Sequence, residues 1–250
     1  MTIKYENGKE FKQAVELLNE FRDTQPFEVN ETGLHTQSMC DTKISLIKMH
    51  LPTPAFTEFE DVTPKRFEVN LKEWANVFKT LKKYDYIRLD ADADKLYLGN
   101  YNGGSNREFK YQIDDADADC KIPSMPDRTN IIKVTAKHVL DAVEDAEKLE
   151  CYHLTFNTGY TGDAGISFTG VYGNAGNPFK IEVKPEDVLS QEIREPAHAI
   201  YSTDFLKRFL RKLDKNTLLT LEYRTESILK MTVLIGDMQI EFYLAPRIEG

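Results

Sequence analysis

The feature that most constrains this chain is a stretch near its middle, residues 114–128, that can form neither a helix nor an interior strand. Four of its first six residues are aspartates, and Pro123 and Pro126 follow. Clustered like charges favour a solvated chain, and proline lacks the backbone N–H that regular structure needs. A structureless segment of this length is uncommon inside a compact protein. We therefore predict an N-terminal domain at 1–113, a connector at 114–128 and a C-terminal domain at 129–250. The connector also contains the apolar residues Ile122, Pro123 and Met125, which indicate that it serves as a binding loop as well as a linker.

The composition is typical of a globular protein. The 250 residues are 41% apolar, which is enough for two hydrophobic cores. No apolar run approaches the roughly 18 residues of a membrane span, and the N-terminus lacks a secretion signal, so we expect an intracellular protein that contacts no membrane. Cys40, Cys120 and Cys151 are odd in number and have no Cys-x-x-Cys spacing, which argues against a disulfide framework or a zinc site.

One pattern, an amphipathic helix followed by alternating strands, occurs four times. The helices are predicted at 8–22, 69–83, 137–149 and 203–213. Their apolar anchors Phe11, Trp74, Val139 and Phe205 lie 63, 65 and 66 positions apart. In the last helix Phe205, Phe209 and Leu213 are predicted to be buried. One helix against several antiparallel strands predicts an α+β fold of two similar domains, with the helices gathered on one face.

The charge of these helices is uneven. The net charge of the chain is −9, which argues against a protein that coats nucleic acid by bulk charge. Residues 70–83 nevertheless carry four lysines and one glutamate, and residues 203–215 carry five basic and two acidic residues. Residues 8–22 are balanced and residues 135–149 are acidic. The pattern indicates a local positive surface, although ordinary solvated helix faces would explain these charges equally well.

Two segments resemble a known family. Residues 33–47 resemble the Gly-x-x-x-Gln-Ser-Met-Asp-x-x-x-Val-Ser-Leu segment of the proliferating cell nuclear antigen family. Residues 242–249 resemble its C-terminal Tyr-Tyr-Leu-Ala-Pro-Lys-Ile-Glu, and Ile122-Pro123 falls at the Ile-Pro of its connector. The resemblance covers essentially the whole chain. It implies the DNA clamp fold, in which three subunits close a ring with sheets outside and helices lining the hole.

The resemblance also implies a function. A sliding clamp encircles double-stranded DNA without reading its sequence, and so confers processivity on the DNA polymerase in replication and repair. It tethers the polymerase, clamp loader, nuclease and ligase through their clamp-interacting peptides. Such a protein is not an enzyme and needs no cofactor. Its location would be the nucleus in a eukaryote, and the cytoplasm or a viral replication site for an archaeal or viral protein.

The family's DNA-facing positions transfer to basic residues of this chain. Lys12, Lys79 and Arg211 match best. Neighbouring basic residues on the same helices are further candidates: Lys9, Lys72, Lys82, Lys83, Lys148 and Lys207. Asp141 and Glu144 stand where the family is usually basic, so the resemblance predicts a lining of uneven charge.

The family's peptide pocket lies between the connector, the segment after Gln-Ser-Met and the C-terminal tail. It suits a peptide with one aliphatic and two aromatic anchors on a single helical turn. The corresponding residues are Met39, Lys43, Ile44, Leu46, Cys120, Ile122, Pro123, Ile228, Tyr243, Ala245, Pro246 and Ile248. Lys43 replaces a usual histidine and Cys120 a usual leucine. For Met39, Ile44 and Leu46, burial in a strand core is the alternative.

The subunit contact of the family joins an edge strand of one copy to an edge strand of the next. The corresponding apolar residues are Phe109, Tyr111 and Ile113 on one strand and Phe179 and Ile181 on the other. Unpaired, such edges would invite aggregation, whereas a heterologous contact that closes after three copies gives a ring.

Two other functions stay open. The chain could be a clamp-like processivity or checkpoint subunit that works as a monomer or with unlike subunits. It could also be a metal-dependent hydrolase that uses the Asp/Ala runs at 90–94 and 115–119. These runs resemble the start of a calcium loop, but Lys95 and Cys120 stand where that loop needs glycine.

The remaining signals predict no chemistry. Gly159, Gly162 and Gly165 are followed by no Gly-Lys-Ser/Thr, so we expect a hairpin there and not a phosphate loop. The histidines have no ligand spacing, and we expect neither a metal nor a catalytic base among them: His35, His50, His138, His153 and His198.

Overall fold

The computed structural model describes residues 1–60, 63–90, 95–100, 106–110, 116, 120–159 and 165–248. The chain divides into two compact units. The first contains Met1–Asp41, Ile47–Lys121 and Leu234–Ile240, and the second contains Thr42–Leu46, Ile122–Val233 and Glu241–Gly250. Each unit combines antiparallel sheets with helices, which confirms the predicted α+β class. Of the predicted connector, 114–115 and 117–119 lie outside the described residues.

The first unit contains the elements from β1 to β9. They are β1 (Thr2–Tyr5), α1 (Gly8–Leu18), β2 (Thr24–Asn30), β3 (Gly33–Met39), β4 (Ser45–Pro52), β5 (Glu58–Glu60), β6 (Lys65–Asn70), α2 (Leu71–Phe78), β7 (Asp85–Asp90), β8 (Lys95–Asn100) and β9 (Arg107–Lys110). One sheet has the order β5-β1-β7-β8-β9, and the other strands run in the order β4-β3-β2-β6. The first two residues of β4 belong to the second unit.

The second unit contains the elements from β10 onward. They are β10 (Asn130–Thr135), α3 (Ala136–Lys148), β11 (His153–Thr158), β12 (Ile166–Tyr172), β13 (Asn177–Glu182), β14 (Ser190–Glu192), β15 (Ala197–Ser202), α4 (Thr203–Leu210), β16 (Leu218–Tyr223), β17 (Leu229–Ile235) and β18 (Met238–Leu244). One sheet has the order β13-β12-β11-β15, and the other strands run in the order β14-β10-β16-β17-β18. The turn between β17 and β18, with the residues beside it, belongs to the first unit.

The helices of the first unit end earlier than predicted. Phe11, Val15 and Leu18 of α1 are buried as expected, but the helix stops at Leu18. The backbone N–H groups of Glu20 and Phe21 reach back only three residues, to Leu17 and Leu18, which tightens the chain into turns. Helix α2 begins where the side chain of Asn70 accepts two backbone hydrogen bonds, and it ends at Phe78.

In the second unit, α4 ends at Leu210 and not at Leu213 as predicted, and one residue expected in its buried face is half-exposed. Helix α3 buries its apolar face as predicted. In α4, Phe205 is only half-buried, and its ring lies 5.6 Å from the guanidinium carbon of Arg208. Phe209 and Leu213 are buried as predicted, and Leu206 and Leu210 complete the buried stripe. Phe205 lies about 100° away from Leu206 around the helix axis, which takes it off the apolar stripe.

Aromatic rings fill both cores. In the first unit Phe11, Trp74 and Phe78 contact one another, with ring centroids 5.8 to 6.3 Å apart. In the second unit the rings of Phe209 and Phe242 stack at 4.8 Å, which joins α4 to β18. Side chains of this size stabilise the fold by about 1.5–3 kcal/mol each when fully buried. Within the described residues, no helix is long and apolar enough to cross a membrane.

Two phenylalanines of α4 provide a test of this core. Phe209→Ala should lower the free energy of unfolding by about 3–5 kcal/mol, because it removes a buried ring and leaves a cavity. Phe205→Ala, on the same helix, should cost only about 1 kcal/mol, because its ring is half-exposed. Denaturant titration of the two variants and the parent chain measures the difference. Equal losses would contradict the assignment of the buried face.

Candidate functional site

The basic residues predicted on the first unit lie on α1, α2 and the turn that follows α2. Lys9, Lys72, Lys79, Lys82 and Lys83 are all exposed. The Nζ of Lys72 lies 2.5 Å from a carboxylate oxygen of Asp23, and Lys79 donates to the side chain of Asn76 at 2.8 Å. The exposed ion pair between Lys72 and Asp23 contributes little to stability, so a phosphate can replace Asp23 at small cost.

Lys12 is the least exposed of the best-matching positions. It is half-buried on α1, and its Nζ lies 3.8 Å from Glu16 one turn further along the helix. The long aliphatic stem of a lysine can lie along the helix while the ammonium group stays in water. Lys12 can therefore still present its charge outside the unit.

The basic residues of the second unit face acids of α3. The ammonium of Lys207 lies 2.5 and 2.6 Å from the two carboxylate oxygens of Glu147. Lys148 donates to Asp145 at 2.9 Å, while Arg211 is exposed. These ion pairs are a structural reason to expect uneven charge among the helices, because α3 supplies counter-charges to its neighbour α4.

The C-terminal tail is held by backbone hydrogen bonds on two sides. The N–H of Ala245 donates to the carbonyl of Ile44 at 2.9 Å, and the N–H of Arg247 donates to the carbonyl of Ile200 at 2.8 Å. The guanidinium Nη1 of Arg247 also lies 2.8 Å from Nδ1 of His153. Burial and the charge of Arg247 lower the pKa of His153, which favours the neutral ring.

These bonds bring Ile44 and Ala245 together, as the predicted pocket requires. Ile44 is 40% exposed and Ile248 is 72% exposed, so both offer apolar surface. Leu46 and Tyr243 are buried, and Lys43 is exposed with a positive φ of 57°. The other predicted residues of the second unit are half-buried: Ile122, Pro123, Ile228, Ala245 and Pro246.

Met39 and Cys120 belong to the first unit, and both are half-buried. The side chain of Gln37 donates to the carbonyl of Cys120 at 2.8 Å and thereby anchors the connector at Cys120. Gln37 begins the Gln-Ser-Met motif but was not among the predicted pocket residues. The Gln-Ser-Met motif was the sequence signal from which the role of Gln37 could have been predicted.

A polar network surrounds Tyr243 and was also missed. Its hydroxyl donates to Glu241 at 2.9 Å, and Lys230 lies 3.4 Å from Glu241 and 3.1 Å from Glu222. Burial, together with the charge of Glu241, raises the pKa of Tyr243. Burial by itself would lower the pKa of Lys230, but the two carboxylates outweigh it, and the pKa is raised. Tyr243 is therefore protonated and Lys230 charged at neutral pH.

The two strands that are predicted to join neighbouring copies are edge strands of their sheets. Strand β9 ends the order β5-β1-β7-β8-β9 and carries Phe109, while β13 ends the order β13-β12-β11-β15 and carries Phe179 and Ile181. All three side chains are half-buried. Tyr111 and Ile113 lie outside the described residues. The guanidinium of Arg107 pairs with the buried carboxylate of Asp85 and so fixes β9.

Among the described residues, no group of three or more His, Cys, Asp or Glu side chains could hold a metal ion. Cys40 and Cys151 are buried and Cys120 is half-buried, all as free thiols. Most of the Asp/Ala runs, as well as Gly162, lie outside the described ranges.

Comparison with known proteins gives matches over the whole chain. Residues 1–121 match the family described as proliferating cell nuclear antigen, N-terminal domain. The DNA polymerase sliding clamp of Pyrococcus furiosus is 24% identical over 258 residues, covering 99% of this chain and 98% of the relative. That of Methanopyrus kandleri is 24% identical over 253 residues, covering 98% and 96%.

Two solved structures share the fold. The crystal structure of PCNA from Thermococcus kodakaraensis superposes with a TM-score of 0.88 at 23% identity, covering 98% of this chain and 99% of that one. The structure of the C-terminal region of FEN-1 bound to A. fulgidus PCNA superposes with a TM-score of 0.84 at 17% identity, covering 100% and 99%.

Proposed function

We propose that this chain, which belongs to the proliferating cell nuclear antigen family, is a sliding clamp that encircles duplex DNA and tethers DNA polymerase to it. The observation that carries the proposal is the full-length match to DNA polymerase sliding clamps, which covers both units and the C-terminal tail. The protein works mechanically: it holds its partners on DNA and makes or breaks no bond. Its work on DNA places it inside the cell.

The ring would be a homotrimer. A contact between β9 of one copy and β13 of the next is heterologous, so repeated contacts close a ring when the rotation between copies is one third of a turn. The half-buried Phe109 and Phe179 support this pairing, because both rings would gain cover from it. Pairing would also protect two strand edges that otherwise template aggregation.

The cationic helix surfaces would face the DNA. Lys12, Lys79 and Arg211 would track phosphates, which gives binding that is independent of sequence and falls with salt. The acids of α3 reduce the charge that α4 can offer, so contact with DNA would be stronger at α1 and α2. The acidic remainder of the chain repels DNA and leaves the helix surfaces as the site of contact.

Partners would dock on the second unit at the tail. In the A. fulgidus relative a nuclease segment, the C-terminal region of FEN-1, is bound to the clamp. The exposed Ile44 and Ile248 of this chain, beside Ala245 and Pro246, offer a comparable peptide an apolar surface. Polymerase, clamp loader, nuclease and ligase would use it in turn, each kept at high effective concentration on the DNA.

Charge reversal tests the DNA-facing surface. The double variant Lys79→Glu and Arg211→Glu should bind duplex DNA more weakly, and the slope of log affinity against log salt should fall in magnitude by about 2 for each subunit that contacts the duplex, because each such subunit loses two phosphate contacts. A matched control, Lys133→Glu and Lys184→Glu, changes the net charge equally at exposed positions outside the helices. Fluorescence anisotropy at several salt concentrations measures both. The DNA-facing assignment fails if the two variants weaken binding equally.

Truncation of Tyr243 tests the peptide pocket. Tyr243→Ala should weaken binding of a clamp-interacting peptide about tenfold or more, because an aromatic contact worth about 1.5–3 kcal/mol is lost. Calorimetric titration gives the affinity, and light scattering checks that the oligomer is unchanged. Tyr84→Ala, which removes an exposed tyrosine of the first unit, is the control. Unchanged affinity for Tyr243→Ala would exclude this pocket.

A further inference from the structure

Glu241 is buried where a carboxylate is normally exposed. Strand residues alternate between two faces, and Phe242 packs on Phe209 on the core side of β18. Glu241 and Tyr243 therefore lie on the other face, yet they are only 9% and 6% exposed. Burying a carboxylate is costly unless its oxygens are paired. Its neighbours should therefore provide a hydrogen-bond or ion-pair partner for each carboxylate oxygen.

Both oxygens of Glu241 have a partner. One accepts the hydroxyl proton of Tyr243 at 2.9 Å, and the other lies 3.4 Å from the ammonium of Lys230. Lys230 is itself held by Glu222, its direct neighbour in the β16–β17 ladder, at 3.1 Å. The side chains of Glu222, Lys230 and Glu241 are only 21%, 18% and 12% exposed. The cluster therefore fixes Glu241 from two directions and leaves it little freedom to rotate.

We infer that Glu241 is a positioning residue of the peptide pocket: by holding the hydroxyl of Tyr243, it fixes the ring against which a partner peptide packs. The inference rests on the proposed function, since it concerns the same pocket. A ring already held in its bound orientation loses less conformational freedom when the peptide docks. The expected gain in affinity is about three- to tenfold, the size usual for ordering one side chain.

The same network determines what Tyr243 can recognise. Its hydroxyl proton is committed to Glu241, so the residue offers the peptide a ring face and no hydrogen-bond donor. The peptide group that contacts Tyr243 is thus an apolar side chain.

A double-mutant cycle tests the inference. The probe is a labelled peptide with a glutamine, one aliphatic and two aromatic anchors, titrated into the full chain. Tyr243→Phe and Glu241→Ala should each weaken binding about three- to tenfold. The double variant should be no weaker than either single one, because both remove the same hydrogen bond. Glu241→Gln should bind nearly as well as the parent, since its amide oxygen still accepts the proton.

A spectroscopic readout separates positioning from general damage to the fold. The ¹³Cζ signal of Tyr243, identified by its loss in Tyr243→Phe, should shift in Glu241→Ala without peptide and stay near the parent position in Glu241→Gln. Glu192→Ala, an exposed glutamate paired with Arg194, is the control and should change neither the signal nor the affinity. Additive losses in the cycle, with no shift of the signal, would mean a purely structural role and would overturn the inference.

The outcomes distinguish this inference from the proposed function. If Tyr243→Ala leaves the affinity unchanged, the pocket itself is misplaced and both fail. If Tyr243→Ala abolishes binding while Tyr243→Phe and Glu241→Ala bind like the parent, only the positioning role of Glu241 is refuted. Should Glu241→Ala fail to fold, Tyr243→Phe decides alone, because it removes the hydrogen bond and keeps the ring.

Discussion

The packing of one helix face onto a sheet is the interaction on which the rest of this structure depends. The helices have 8 to 13 residues, too short to be stable in isolation, so tertiary contacts hold them. In the first unit Trp74 of α2 packs on Phe27 of β2, and in the second Phe209 of α4 packs on Phe242 of β18. Each helix buries its apolar stripe in this way and must expose its opposite face. The charge on that face is then free to serve a function.

That division explains how a chain of net charge −9 can work on DNA. Lys72 of α2 and the exposed lysines that follow the helix lie on a surface that the core does not need, and the ion pair of Lys72 with Asp23 is weak enough for a phosphate to replace. The second unit differs, because Glu147 engages Lys207 through both carboxylate oxygens. The helix surfaces of the two units therefore carry different charge. On the proposed function, this gives each subunit a stronger and a weaker contact with the duplex.

The helices and the fold class could be predicted from the sequence, because a period of 3.6 residues is a local signal. Their ends could not: α1 stops at Leu18 because the next donors form tight turns, although the apolar pattern continues to Phe21. Phe205 was also assigned to the wrong face of α4, one position away from the buried Leu206. Among the pocket residues, the resemblance named Ile44 and Ala245, but their hydrogen bond joins positions 201 residues apart and only the fold reveals it. The cluster of Glu222, Lys230 and Glu241 depends on strand register, which no local pattern encodes.

The central claim is that three copies of this chain close a ring. Only a closed ring stays on the DNA, and the helix surfaces and the peptide pocket can keep partners there only while the ring stays. The most direct test is the mass of the purified chain in solution by light scattering over a range of concentrations. The account predicts three times the 28.8 kDa of a single chain. A mass of one chain at every concentration would contradict it.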